Sequence, residues 1–147
     1  LQFLIKTGTI FLAGATGIYK GIPVGIALKA HPALIAGLTA LGSICAVLAI
    51  NYSGSSFKKW LFARIGMDRL EKKKGRFNHL MERYGVIGLG LIASGTIGPI
   101  ATILLGLLSL SDTSKLMIYL VVGIVLWSFA LTAVAVVGVD AITNLFE

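Results

Sequence analysis

The residue of this sequence with the clearest chemical potential is Lys20, a cation inside an otherwise apolar stretch. It directly precedes Gly21-Ile22-Pro23, and glycine and proline are the residues that interrupt helices. A lysine beside the N-terminus of a half-helix attracts anions such as a phosphate headgroup. The alternative is a shallow tip from which the lysine side chain extends to water.

A second group of candidate residues surrounds another glycine and proline break, between two apolar half-runs that contain no ionisable residue at the tip. Backbone groups freed by the break, together with two hydroxyl groups, could line a substrate site. Hydroxyls in membrane helices also often bond to their own helix, which is the structural alternative. The predicted substrate-binding residues are Lys20, Gly21, Pro23, Ser94, Gly95, Thr96, Gly98 and Pro99.

Other reactive side chains are few. Asp140 follows the last long apolar run and is a candidate ion-pair partner of Lys20 or a proton relay, unless it simply ends the helix at the interface. His31 and His79 lack a second ligand at metal-binding spacing. The sequence contains no Ser-His-Asp set, phosphate-binding loop or dinucleotide fingerprint. We therefore predict no catalytic residue, no metal site and no cofactor, and we do not expect an enzyme.

The composition defines the solvent in which these residues act. Hydrophobic residues make up 56% of the 147 residues, charged residues only 13%, and the mean hydropathy is +0.92. A soluble domain carries about 25% charged residues. The composition therefore excludes a soluble enzyme, a disordered tail and a nucleic-acid-binding module. It predicts a single integral membrane domain whose partners include membrane lipids.

Two apolar runs are long enough to cross a membrane, from Ala30 to Ile50 and from Leu116 to Val139. The other two apolar stretches are interrupted near Pro23 and Pro99, and a half-run of 12 residues reaches only about 18 Å. Each interrupted stretch therefore predicts a re-entrant helical hairpin, which enters the membrane and returns to the same side. The alternative for each is one kinked spanning helix.

Residues 53–84, between the broken stretches, form a basic amphipathic segment. It contains nine Lys and Arg residues against three acidic ones, and the positive-inside rule assigns such a segment to the cytoplasm. Asp68 followed by Glu71 resembles a capping box, which would start a second helix after a join at Gly66. An apolar stripe at helical spacing should be buried against lipid or protein. The stripe consists of Phe57, Trp60, Leu61 and Ile65.

The order of these elements repeats when the tip at Pro23 is aligned with the tip at Pro99. Repeat one covers residues 1–52, and repeat two covers residues 85–147. Each repeat returns to its starting side and then crosses once, so the second begins on the opposite side. We predict an all-α membrane protein of two inverted repeats joined by the basic linker. Because so thin a bundle would not enclose a path across the bilayer, we expect a homodimer or a larger membrane complex.

Short motifs at both tips and at the end of the linker carry a family resemblance. Lys20-Gly21-Ile22-Pro23, the linker end Glu82-Arg83-Tyr84-Gly85, and Gly98-Pro99 before the final span resemble the small multi-drug export family, which is similar to the DedA-type membrane proteins. The resemblance covers roughly residues 17–140. It implies paired re-entrant hairpins, a transport role and a bacterial plasma membrane location. Relatives often carry an acidic residue and an arginine ahead of the first tip proline, and this sequence has only a lysine there.

Two functions are compatible with these features. A transporter-like protein could move an anionic lipid or a small amphipathic molecule by alternating access at facing re-entrant tips. The broken helices favour this function, because irregular backbone in lipid is costly unless protein or a watery cavity covers it. A non-transporting membrane scaffold or accessory subunit is the alternative, and the small number of buried ionisable residues favours it.

Overall fold

The computed structural model describes residues 1–146, and within that range the chain contains seven α-helices and no strand. The prediction of an all-helical protein is therefore confirmed. Glu147, the last residue of the predicted second repeat, lies outside the described residues. In chain order the helices are α1 (Gln2–Thr16), α2 (Ile18–Ala27), α3 (Pro32–Tyr52), α4 (Ser55–Ile65), α5 (Met67–Thr96), α6 (Pro99–Ser109) and α7 (Ser114–Phe146).

Helices α3 and α7 are long and apolar enough to cross a membrane. They contain 21 and 33 residues, with hydropathies of 2.3 and 2.6, and at 1.5 Å per residue they extend about 31 Å and about 50 Å. They correspond to the two spans predicted from the sequence. Helix α7 continues past Asp140, because the six residues that follow include neither glycine nor proline.

A turn of polar residues sets the start of α7. The side-chain carboxylate of Asp112 accepts a hydrogen bond from the Ser114 N–H at 2.9 Å. The bond from the Ser114 backbone, then one from the Ser114 side chain and the charge of Lys115, lower the pKa of the exposed Asp112 carboxyl. The Met117 N–H then bonds to the Thr113 carbonyl at 2.8 Å, which closes the first helical turn.

The first broken stretch folds into α1 and α2, which pack against each other across Gly17. Gly17 has φ 143° and ψ 147°, whereas Pro23 lies inside α2. The prediction of a break near Pro23 is therefore wrong. A fixed proline φ near −65° is compatible with helix and costs one hydrogen bond. The sharp reversal needs a positive φ, which glycine adopts at the least cost.

The second break lies where the sequence predicts it. Helix α5 ends at Thr96, Gly98 has φ 102° and ψ 146°, and Pro99 is the first residue of α6. Proline suits this position because its missing N–H would have no helical partner there. Helices α5 and α6 pack against each other across this break.

The described chain divides into two compact units, residues 1–43 with the chain from Val125 onward, and residues 44–124. In the first unit, glycines bring α3 against the α1–α2 hairpin. A Cβ atom at Gly14 would lie 2.7 Å from the Thr39 Cα, and one at Gly42 would collide with the Phe11 carbonyl oxygen. The Ser43 hydroxyl donates to the Gly14 carbonyl at 2.7 Å. Small residues thus let these helices approach to backbone contact.

In the second unit, glycines bring α7 against α5 in the same way. A Cβ atom at Gly123 would lie 2.5 Å from the Ser94 hydroxyl oxygen and 2.6 Å from the Gly90 carbonyl oxygen. The glycines that break or join each hairpin share a constant offset of 81 positions. The pairs are Gly17 with Gly98, Gly25 with Gly106, and Gly42 with Gly123.

The basic segment differs from its prediction in two respects. Phe57 and Trp60 stack at 5.8 Å between ring centroids but are 44% and 53% exposed, and α4 has no buried residue. Phe57 and Trp60 are therefore not buried against protein, and burial of the stripe against lipid, the other predicted outcome, stays a prediction. Helix α5 begins at Met67 after Gly66, which has φ 84°, so the join is confirmed. The predicted capping box is wrong, because Asp68 lies inside the first turn, where its charge suits the helix dipole.

We predict that Gly42→Ala lowers the free energy of unfolding by about 1–3 kcal/mol, because the added methyl group meets rigid backbone of α1. Gly37→Ala on the same helix faces open space and serves as the matched control. It should leave stability unchanged or raise it by up to about 1 kcal/mol. Thermal unfolding of the purified chain in detergent measures both. Equal effects of the two substitutions would contradict the close approach of α1 and α3.

Candidate functional site

Helix α5 reverses direction at Gly85, which has φ 66° and ψ −165°. Its basic arm (residues 67–84) and its apolar arm (residues 86–96) line one cleft together. Leu70 and Phe77 on the basic arm are fully buried. The basic arm is therefore packed by its apolar face and is not a free linker.

Lys73 on the basic arm reaches the second helix break. Its ammonium group donates a hydrogen bond of 2.9 Å to the carbonyl oxygen of Ile97, 24 residues further along the chain. This carbonyl lies at the C-terminal end of the apolar arm, where the helix dipole favours a cation. The tip has no ionisable residue in its own sequence, but the fold supplies one from the basic arm.

A cleft of about 330 Å³ lies between the two arms, close to this hydrogen bond. Its polar lining is cationic or neutral, since it includes Arg76 and His79 and no acidic residue. Its remaining lining is aliphatic. The surface that faces the cleft is mostly apolar, with Arg76 and His79 among its lining residues, and such a cleft is suited to an amphiphilic anion. The lining residues are Gly75, Arg76, His79, Leu80, Ile92 and Thr96.

The residues predicted at the second tip have different surroundings. Thr96 lines the cleft, and its hydroxyl donates to the Ile92 carbonyl at 3.0 Å. Ser94 is buried and donates to the Leu91 carbonyl at 3.1 Å, so both hydroxyls bond to their own helix. Gly95 and Pro99 are buried, and Gly98 forms the break itself. Of the residues predicted at this tip, only Thr96 lines the cleft. Gly98 directly follows Ile97, whose carbonyl Lys73 caps.

The residues predicted at the first tip lie on α2. Lys20 is exposed, three residues after the Gly17 break, and its ammonium group has no hydrogen-bond or ion-pair partner among the described residues. Gly21 is buried, and a Cβ atom there would lie 2.7 Å from the Thr39 hydroxyl oxygen. That hydroxyl is itself buried without a partner. Pro23 is exposed inside the helix and does not shape the tip.

Asp140 forms no ion pair within the described residues, and its predicted relay role stays a prediction. Asp140 is exposed on α7, and no ion pair joins it to Lys20 or Lys6 within residues 1–146. The same range contains no group of three His, Cys, Asp or Glu side chains that could hold a metal ion.

Sequence reasoning did not identify Lys73, Arg76 and His79 as site residues. They belong to a charge run, which ordinarily indicates a solvated surface. The sequence feature that indicates this site is Gly85, a glycine between a basic amphipathic helix and a fully apolar one. A reversal there turns the cations of the first arm toward the end of the second.

No protein family model, curated protein or solved structure matches this chain. The resemblance to the small multi-drug export and DedA-type proteins therefore remains a prediction.

We predict that Lys73→Met loosens the second break, because the Ile97 carbonyl loses its cationic cap. The N–H groups of Ile97 and Gly98, which both bond to the Ala93 carbonyl, should exchange with solvent about fivefold faster, equivalent to about 1 kcal/mol. Amide hydrogen exchange measures the effect. Lys74→Met removes an exposed neighbouring charge and is the control. Equal exchange in both variants and the wild type would contradict a capping role.

Proposed function

We propose that this protein is a small membrane transporter-like protein that binds an anionic lipid or small amphipathic anion. One observation carries the proposal. A mostly apolar cleft with Arg76 in its lining lies beside a helix break, where Lys73 is bonded to the Ile97 carbonyl. A charged headgroup can replace or extend the lysine bond, while an apolar tail lies along the aliphatic side of the cleft.

The chemistry of the cleft favours an anion over a cation or a neutral sugar. Guanidinium and ammonium groups form strong charge-assisted hydrogen bonds with phosphate and carboxylate. No carboxylate of the protein occupies that role, because the cleft lining includes no Asp or Glu. The Thr96 hydroxyl oxygen adds a neutral polar group at the end of the apolar arm.

Movement across the membrane is supported by the two broken hairpins. Each lies in an apolar part of the sequence and reverses at a glycine, Gly17 or Gly98. Broken helices in paired repeats recur at the substrate sites of secondary transporters. We propose that the hairpins are re-entrant, that the repeats are inverted, and that alternating access at the facing tips moves the substrate. In this arrangement the basic segment faces the cytoplasm of a bacterial cell.

A homodimer or larger membrane complex is part of the proposal, because two long helices and two hairpins leave much apolar surface uncovered. On α7, Leu126 and Phe129 are 59% and 52% exposed. The same surface is the observation that favours the alternative function, a non-transporting scaffold or accessory subunit. The two functions differ in whether the purified protein alone moves lipid.

We predict that Arg76→Gln reduces the flipping of a fluorescent phosphatidylglycerol by at least tenfold in vesicles containing the purified protein. The loss of one charge-assisted bond of about 1.4 kcal/mol accounts for this effect. Arg69→Gln removes an exposed arginine from the same helix outside the cleft and should leave the rate unchanged. Vesicles that show no flipping with the wild-type protein would favour the scaffold.

We also predict that Lys20→Met reduces flipping by at least tenfold, about 1.4 kcal/mol, if the first tip contributes to the path. Folding should survive, because Lys20 is exposed and has no partner in the described residues. Lys20→Arg should retain part of the rate, since it keeps the charge in a different shape. Thermal unfolding is measured in parallel. Wild-type flipping by Lys20→Met would remove the first tip from the site.

A further inference from the structure

The backbone at the end of α2 is strained, because a lysine, Lys29, occupies a position that glycine would adopt without strain. The Lys29 N–H bonds to the Ile26 carbonyl at 2.9 Å, and the Ala30 N–H bonds to the Gly25 carbonyl at 3.1 Å. These two bonds form a Schellman motif, whose C′ residue adopts the left-handed conformation. Lys29 occupies that position with φ 52°. Among the described residues it is the one residue other than glycine with a positive φ.

Glycine is the usual residue at this position, because a Cβ atom in the left-handed conformation lies too close to the following carbonyl. Lysine therefore makes the end of α2 less stable than glycine would. Strain of this kind is concentrated at functional sites, where the side chain is needed. What the Lys29 side chain could bind is indicated by its surroundings.

Lys29 lines a pocket of about 200 Å³ within the first unit. Lys6 and His31 line the same pocket, so three nitrogen-bearing side chains from α1 and from the turn after α2 converge there. The rest of the lining is largely apolar, with Ile10 fully buried beneath it. The other lining residues are Phe3, Thr7, Ile10, Ala30, Leu34 and Leu38.

His31 is oriented by the start of α3. Its Nδ1 atom accepts a hydrogen bond from the Ala33 N–H at 3.3 Å, and its carbonyl accepts the N–H groups of Leu34 and Ile35. Because Nδ1 is an acceptor, the neutral ring carries its proton on Nε2. The imidazole can therefore donate a hydrogen bond to an anion while it also caps the helix.

The positive charge at this pocket is not balanced locally. No Asp or Glu precedes Asp68 in the sequence, so residues 1–43 of the first unit contain lysines and no acidic residue. The acidic residue that the structure describes in the remainder of this unit, Asp140, is exposed and forms no ion pair within residues 1–146. Within the described residues no acidic side chain pairs with these cations, so an external anion can supply the counter-charge.

We infer that Lys6, Lys29 and His31 bind the phosphate headgroup of a resident membrane lipid, whose acyl chain lies along Phe3 and Leu34. The two exposed apolar side chains continue the pocket lining toward the surface, being 65% and 42% exposed. Basic pockets between membrane helices bind anionic headgroups in this way. The inference concerns a site in the other unit from the cleft of the proposed function and does not depend on transport.

The test uses native mass spectrometry of the full chain in detergent, with phosphatidylglycerol as the probe. With Arg76→Gln introduced throughout to weaken the cleft of the proposed function, the otherwise wild-type protein should hold about one lipid, and Lys6→Gln and Lys29→Gly should each lower its occupancy at least fivefold. Lys29→Arg should retain binding, because it keeps the charge at the same backbone position. Lys74→Gln, an exposed lysine outside both pockets, is the matched control and should bind as the wild type does.

A second readout separates a ligand-binding role from a structural one. Lys29→Gly should raise the unfolding temperature of the lipid-free protein by a few degrees while binding falls, because glycine relieves the strained φ. A lower unfolding temperature with unchanged lipid occupancy would overturn the inference. Diacylglycerol, which lacks phosphate, should not bind. Millimolar inorganic phosphate should displace little lipid, and full displacement would show a free-anion site and overturn the lipid assignment.

Discussion

The arrangement of this chain depends on backbone that only glycine adopts at low cost. The described helices reverse at Gly17, Gly85 and Gly98 and are joined at Gly66, and each of these glycines has a positive φ. Since an apolar helix has few side-chain groups with which to terminate itself, a glycine supplies the turn and leaves the flanking helices intact. Each hairpin, and the cleft between the arms of α5, follows from one of these reversals. Other glycines then allow α3 and α7 to approach the hairpins closely.

The helices and the two long apolar runs could be predicted because hydropathy and length determine them almost alone. The positions of the breaks could be predicted only in part. At Gly98-Pro99, both residues that disrupt helix are adjacent, so either one identifies the turn. In the first hairpin the glycine and the proline are separated in sequence, and the break lies at Gly17 rather than at the predicted Pro23. Proline removes one hydrogen bond, but a reversal needs a backbone conformation outside the helical region.

The candidate site was harder to predict because it depends on a contact between distant residues. Lys73 lies in a run of charges whose sequence indicates only a solvated helix. Its bond to the Ile97 carbonyl exists because Gly85 reverses the helix and brings both arms beside each other.

The stripe containing Trp60 is a contrasting case. Its periodicity is clear, yet no residue of α4 is fully buried in the fold. A membrane interface suits exposed Phe57 and Trp60, with Arg64 5.4 Å from the Trp60 ring.

Three lysines lie beside the irregular backbone of this protein. Lys20 follows the Gly17 break, Lys73 caps the carbonyl before Gly98, and Lys29 itself forms the end of α2. The first two add charge beside a turn that glycine makes. Lys29 stands where a glycine is usual, so one residue carries both the charge and the strained φ. Helix ends expose unpaired backbone groups and partial charges. Outside the basic segment, the lysines therefore lie close to helix ends, where a charged headgroup can be bound without interrupting a long helix.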